Sequence, residues 1–180
     1  MVDETKKCLI DAKKNKEKHF SLIQKANIQA RKQAMIDKSK TIIHVAVGAA
    51  GLISILFSDA LAIAPIQAGM IYKMNDAFGV KMKDSVAASL IAVLLGVTAV
   101  AQVGRTLVNG LLKFIPVVGS VAGGATAVTI TEGIGFAYLK VLETCFNDEI
   151  GEVKLPAMDT IKSLFKENYL SLDTIKKLKP

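Results

Sequence analysis

The sequence predicts an all-α protein: a compact bundle of about four apolar helices with an N-terminal basic helix and short C-terminal helices. Its central region, residues 41–146, holds only six basic and five acidic side chains in 106 residues. Pro and Gly residues divide this region into segments of helical length. Its valines are mixed with Ala and Gly instead of alternating with polar residues, so strands are not expected.

Charge divides the chain into three regions. Residues 1–40 carry eleven basic and five acidic groups, residues 41–146 net +1, and residues 147–180 balance at zero, within a total of +7. We therefore predict a basic amphipathic helical arm over residues 1–40. An apolar helical domain over 41–146 and a polar helical tail over 147–180 follow it.

The arm is predicted to be helical over residues 4–40, because it has no Gly or Pro and its apolar residues recur at roughly helical spacing. That apolar stripe, interrupted by Lys16 and Asn27, consists of Leu9, Ala12, Phe20, Ile23, Ala30 and Ala34. A basic helix suits an anionic membrane surface, because each Lys or Arg close to the headgroups contributes about 1 kcal/mol to the binding free energy. The residues predicted to contact such a surface are Lys13, Lys14, Lys16, Lys18, Lys25, Arg31 and Lys32. The alternative is a solvated helix that packs one face on its own domain or on a partner.

Helix breakers predict two helices in the first half of the apolar domain. The first covers residues 41–57 and ends at a possible stop at Ser58 and Asp59. The second has Pro65 in its first turn and runs to Phe78, with Gly79 as its left-handed terminator.

Two more helices are predicted in the second half of the domain. Asp84 or Ser85 caps the third, which runs toward Asn109. The last follows Pro116 and a Gly-rich stretch and ends near Phe146.

The tail is predicted to hold two short helices. Asp159 caps the first, and Ser171 or Asp173 precedes the second. Neither carries a pattern that points to chemistry.

Small residues recur at every fourth position in each apolar segment, in series that begin at Ala46, Ala60, Ala88 and Gly119. On a helix each series lies along one face. Such faces allow close helix–helix approach in membranes, and they would do the same in a soluble bundle. The pattern predicts tight helix packing and leaves the question of lipid open.

The uncharged runs 41–58, 85–104 and 114–131 are 18, 20 and 18 residues long, close to the roughly 20 residues of a transmembrane helix. Length alone therefore predicts transmembrane helices. Against this, the chain has no Trp and three Tyr, which provide no interfacial aromatic belt. We expect a unit that associates with, or partly inserts into, the cytoplasmic face of the inner membrane. A cytoplasmic location is the alternative, and the polar N-terminus predicts no signal peptide.

No enzyme is predicted. The chain has no phosphate-binding G-x-x-x-x-G-K-[ST] loop, and His19 and His44 are not spaced as metal ligands. Cys8 and Cys145 form neither a disulfide framework nor a zinc motif. We expect no catalytic residue, cofactor, metal or small-molecule substrate. Nucleic acid is not an expected partner either, because one aromatic residue and one Arg in the arm offer little stacking or base readout.

Several motifs resemble those of a bacterial family. Pro65, Gln67 and Met70, followed by Gly79, resemble its P-x-Q-x-x-M-I … G signature. The remaining motif residues are Arg105, Pro116, Gly119 and Gly135. The family is the YcjF-like domain of unknown function, which commonly follows an Era-like GTPase domain. Across roughly residues 38–146, the resemblance implies an all-helical, membrane-associated module that accompanies a GTPase, which a separate partner would have to supply.

The leading functional prediction is a non-enzymatic membrane-associated helical module that works with a separate GTPase in membrane sensing or remodelling. Its expected partners are an anionic lipid surface and either a GTPase or further copies of itself. A soluble helical scaffold or adaptor is the alternative. A pore-forming or toxin-like protein that inserts a hydrophobic hairpin is a third hypothesis.

Overall fold

A computed structural model describes residues 2–56, 63–103 and 121–171. The helices in these ranges are α1 (Val2–Leu56), α2 (Ala64–Ala77), α3 (Asp84–Val103), α4 (Val121–Thr144) and α5 (Met158–Leu170). Between α4 and α5, β1 (Phe146–Asn147) pairs antiparallel with β2 (Glu152–Val153). The all-α helical bundle predicted from the sequence is confirmed.

The first two predicted helices are one helix in the structure. α1 runs without a break through residues 40 and 41, so the predicted boundary there is wrong. The chain has no Gly or Pro before Gly48, so nothing there breaks the helix. Gly48 and Gly51 are accommodated within it, and Gly51 lies close to Val128 of α4. At about 1.5 Å per residue, α1 is roughly 80 Å long.

Only part of α1 belongs to the bundle. Every described side chain between residues 6 and 27 is exposed, and the first half-buried one is that of Ile28. Ser39, Ile43, Ala46 and Ala50 are then buried at intervals of three or four residues. The first half of α1 therefore projects beyond the bundle, and its contact with the rest of the chain begins well before residue 41.

Helix α2 matches its prediction closely. Pro65 lies in its first turn, where its missing N–H leaves no bond unmade. The helix ends at Ala77, and Gly79 has a φ of 67°, the left-handed conformation that glycine adopts without strain. The N–H of Val80 donates to the carbonyl of Asn75 at 2.9 Å and closes this end.

The core lies where α1, α2 and α5 pack around α4, and α3 joins it through α2 and α5. Its fully buried large side chains are Tyr138, Phe165, Ile43, Met70, Ile71, Met74, Leu90, Leu94, Ile134 and Leu142. The small-residue prediction holds between α1 and α4, where Ala46, Ala50 and Ala127 are buried.

On α3 the small-residue prediction is wrong. Ala88, Ala92 and Gly96 are exposed, while Ala87 and Leu90 on another face are buried. The larger side chains face the bundle because they bury more apolar area.

The tail departs from its prediction in two ways. The short β1–β2 hairpin was not predicted, and its strands are too brief to show an alternating pattern. Helix α5 has Ala157 as its N-cap, without a side-chain cap, and Asp159 lies within the first turn. There the negative charge of Asp159 interacts favourably with the positive end of the helix dipole. The second predicted tail helix falls in residues 172–180, outside the described ranges.

No helix within the described ranges combines the length and the apolarity needed to cross a membrane. The transmembrane helices predicted from run length therefore have no support in those ranges. Residues 114–120 of the run 114–131 lie outside them.

Candidate membrane-binding surface

Helix α1 has two apolar faces rather than one. One face packs into the core through Ile43, Ala46 and Ala50. The other, which we call the outer face, is turned away from the bundle. Its large apolar side chains are Leu9, Phe20, Ile23, Val45 and Leu52, each 58–66% exposed. At about 100° per residue these five project within one narrow sector, roughly opposite the buried residues.

The outer face combines apolar and basic side chains, and Lys16 lies within the apolar stripe itself. By the same helix geometry, the basic residues on it are Lys13, Lys16, Arg31 and Lys38. Asp11 and Glu17 project toward other sides of the helix. Asp37 lies at its border, where it accepts a 2.9 Å hydrogen bond from Gln33 and lies 3.6 Å from Lys40. Along the projecting half of α1, the charged side chains on the outer face are therefore all basic.

The seven basic residues predicted to contact a membrane do not share one face. Lys13 and Lys16 lie on the outer face. Arg31 starts from the same side of α1, but its guanidinium reaches the β1–β2 hairpin, where Nη1 would lie 3.8 Å from a Cβ built at Gly151. Lys14, Lys18 and Lys25 are also exposed but project from the opposite side of α1. The sequence correctly predicted that this segment is helical. Counting charges could not show which basic residues lie on which side of the helix.

Lys32 differs from the other six because the β1–β2 hairpin holds it. Its Nζ lies 2.9 Å from Oδ1 of Asp148 and 4.9 Å from the centroid of the Phe146 ring. Gln29 donates a second hydrogen bond to the same oxygen at 3.1 Å. The hydrogen bond from Lys32 is the main reason that the pKa of Asp148 falls below its ordinary value. Lys32 therefore anchors the hairpin to α1, and its charge is not free for a lipid headgroup.

An apolar groove of about 340 Å³ lies between α1 and α2 and adjoins the outer face. It is lined by Thr41, Ile42, Val45, Ala46, Ala49, Pro65, Ile66, Gly69, Met70 and Lys73. Val45 belongs to both the groove and the outer face, so the apolar surface continues from one to the other. Lys73 is the one ionisable side chain among these ten.

The residues that carry the family resemblance serve packing where the structure describes them. Gln67 is buried and donates a 3.1 Å hydrogen bond to the hydroxyl of Thr131 on α4. Met70 is 2% exposed in the core, and Pro65 lines the groove. Gly135 lies against Ile43 of α1. The other three motif residues, Arg105, Pro116 and Gly119, lie outside the described ranges.

The bundle interior contains a second polar pair between α2 and α4. Tyr138 donates a short hydrogen bond to Oδ1 of Asn75, and burial strongly raises the pKa of Tyr138. The Nδ2 atom of Asn75 is buried with no partner among the described residues. The pair links two helices and does not open onto a cavity found in the described chain, so we assign it a structural role.

Two ionisable residues, His44 and Glu132, lie at the edge of the bundle. His44 is exposed and meets the ring of Phe136 edge-on, with 6.3 Å between the ring centroids. Partial burial raises the pKa of Glu132, and the His44 charge opposes that shift. Asp59 lies outside the described ranges. Within them, no group of three or more His, Cys, Asp or Glu side chains could hold a metal ion.

Comparison with known proteins adds no relative: no family model, curated protein or solved structure matches the chain. The YcjF-like resemblance therefore stays a prediction that rests on the motif residues alone.

Proposed function

We propose that this protein is a non-enzymatic membrane-associated helical module that lies on an anionic bilayer through the outer face of α1. The observation that carries this proposal is the outer face itself, an exposed apolar stripe that also carries basic side chains. An amphipathic helix of this kind lies in the membrane interface with its apolar side chains below the headgroups and its basic ones among them. The bundle would remain beside the membrane, attached to it through the projecting half of α1.

Charge favours a lipid surface over a second copy of the chain as the occupant of the outer face. If two copies paired through this face, they would bring the cations at Lys13 and Lys16 close to the same cations of the partner. No acidic side chain of residues 6–27 lies on that face to offset the repulsion. An anionic headgroup layer supplies the missing negative charge.

The expected binding strength is moderate. Burying Leu9, Phe20 and Ile23 contributes about 1.5 kcal/mol or more for each side chain. Lys13 and Lys16 add about 1 kcal/mol each near anionic headgroups. The sum is typical of reversible surface association rather than of permanent insertion.

Vesicle flotation with a matched pair of charge-reversal variants tests the proposal. The first variant, Lys13→Glu/Lys16→Glu, reverses two charges on the outer face. The second, Lys14→Glu/Lys18→Glu, makes the same change in net charge on the opposite side of the same turns. The wild-type protein should float with phosphatidylglycerol vesicles at low salt and stay at the bottom with pure phosphatidylcholine. Only the first variant should lose flotation.

Two results would contradict the proposal. One is wild-type protein that does not float with anionic vesicles at low salt. The other is equal loss of flotation in both variants, which would mean that the arm is attracted by its total charge and has no membrane-facing side.

A soluble scaffold or adaptor is the second candidate, and the self-contained core favours it. The bundle buries its own apolar side chains without lipid, and the groove beside Val45 could receive side chains of a partner protein. This candidate predicts a monodisperse species in detergent-free buffer and no flotation.

The separate GTPase partner implied by the family resemblance belongs to the first proposal. Pull-down with the full chain, compared in the GTP-bound and GDP-bound states of a candidate GTPase, tests it independently of lipid binding.

A further inference from the structure

We propose that the groove between α1 and α2 binds one acyl chain of an anionic lipid, with Lys73 at the lipid headgroup. This inference rests on the proposed membrane function, because it names a specific lipid site beside the surface-binding face. The outer face would attach to the bilayer surface as a whole, whereas the groove would bind one lipid molecule.

The volume and lining of the groove suit a hydrocarbon chain. Its volume of about 340 Å³ lies at the small end of the range of roughly 300–1,000 Å³ that is typical of ligand pockets. Ile42, Ile66 and Met70 provide a continuous apolar wall, and Gly69 leaves room in it. A Cβ built at Gly69 would meet no atom within 4 Å. The space is therefore open to an occupant.

The position of the groove points to lipid rather than to another apolar ligand. Val45 joins the groove to the outer face, so a chain in the groove can come from a lipid in the same leaflet that the outer face contacts. Among the described lining residues, the polar side-chain groups are the Thr41 hydroxyl and the Lys73 ammonium. A single cation beside an apolar slot complements an acyl chain that ends in an anionic headgroup.

Binding of dioctanoyl phosphatidylglycerol below its micelle concentration, measured by calorimetry with the full chain, tests the site. Gly69→Leu fills the groove and should weaken binding by roughly tenfold or more, since it displaces several methylene contacts. Gly96→Leu is the matched control. It places the same side chain in open space on an exposed part of α3 and should bind like wild type.

A second pair of variants tests the headgroup contact. Lys73→Gln should weaken binding of the phosphatidylglycerol by about fivefold, the effect of one basic residue near an anionic lipid. Lys162→Gln, on the exposed surface of α5, should leave it unchanged. With dioctanoyl phosphatidylcholine, which has no net charge, Lys73→Gln should have a smaller effect.

The outcomes separate this site from the broader function. If wild type does not bind the monomeric lipid, or if Gly69→Leu binds it as well as wild type does, the groove site is overturned whatever the flotation result. If Gly69→Leu lowers monomer binding and still floats with anionic vesicles, both proposals stand. If Gly69→Leu lowers monomer binding while wild type fails to float, the groove site stands and the surface-binding proposal fails.

Discussion

At Gly135, α4 approaches α1 so closely that a side chain would not fit without movement. A Cβ built there would lie 2.7 Å from Cγ1 and 2.9 Å from Cγ2 of Ile43. Both contacts are shorter than packed carbon atoms allow, and Ile43 is fully buried in the core. The sequence indicated a small-residue series that includes Gly135, and the structure supplies its reason.

Gly135→Ala should therefore destabilise the protein by about 1–3 kcal/mol, the usual cost of overpacking a core. Gly48→Ala is the matched control on the partner helix, since its Cβ would meet nothing within 4 Å. It should stabilise the protein by about 0.5–1 kcal/mol, because alanine favours a helix more than glycine does. Denaturant unfolding of both variants measures the difference. Equal effects would show that α1 and α4 are not in contact at this point.

The residues of the candidate surface were only partly predictable. The apolar stripe through Leu9, Phe20 and Ile23 follows from helical periodicity. Its continuation through Val45 and Leu52 could not be read, because a predicted break near residue 41 separated the two halves of α1. Nor does periodicity show which of the two faces of a helix packs on the bundle. That depends on contacts with residues far along the chain.

At the scale of elements, breakers were the reliable signal. Pro65 and Gly79 marked the ends of α2 because each limits the backbone locally. The break within α1 was inferred from a change in composition, which places no constraint on backbone dihedrals. The β1–β2 hairpin escaped prediction for a related reason. It is held to α1 by Asp148 and by Lys32, which contact each other only in the folded chain.

The two halves of α1 should differ in stability as well as in exposure. The projecting half has no packed face, and most of the stability of a helix in a protein comes from the packing of one face. Hydrogen exchange should therefore show weak protection of amides before Ile28 and strong protection from Ser39 through Ala50. Anionic vesicles should slow exchange in the first half only. Strong protection there without lipid would indicate that another protein surface, such as a second copy, already covers it.

At the scale of the whole molecule, the structure consists of a bundle with its own apolar core and a helix that projects from it. The bundle buries its apolar residues internally, so its high mean hydropathy of +0.39 does not by itself require lipid. Among the described residues, most of the large apolar side chains left exposed belong to α1, which also carries most of the net positive charge. Among the described residues, the candidate lipid contacts therefore lie on α1 and in the groove beside it, and not in the bundle core.

The central claim is that one side of α1 faces the membrane. Spin labels placed singly along residues 9–25, with Cys8 and Cys145 replaced by Ser, report depth by their accessibility to oxygen and to a water-soluble nickel complex. On phosphatidylglycerol vesicles we predict that depth oscillates with a period of about 3.6 residues. Labels at Leu9, Phe20 and Ile23 should be deepest, and those at Lys14 and Lys18 should stay in water. Labels with equal accessibility on all sides, unchanged by the vesicles, would contradict the claim.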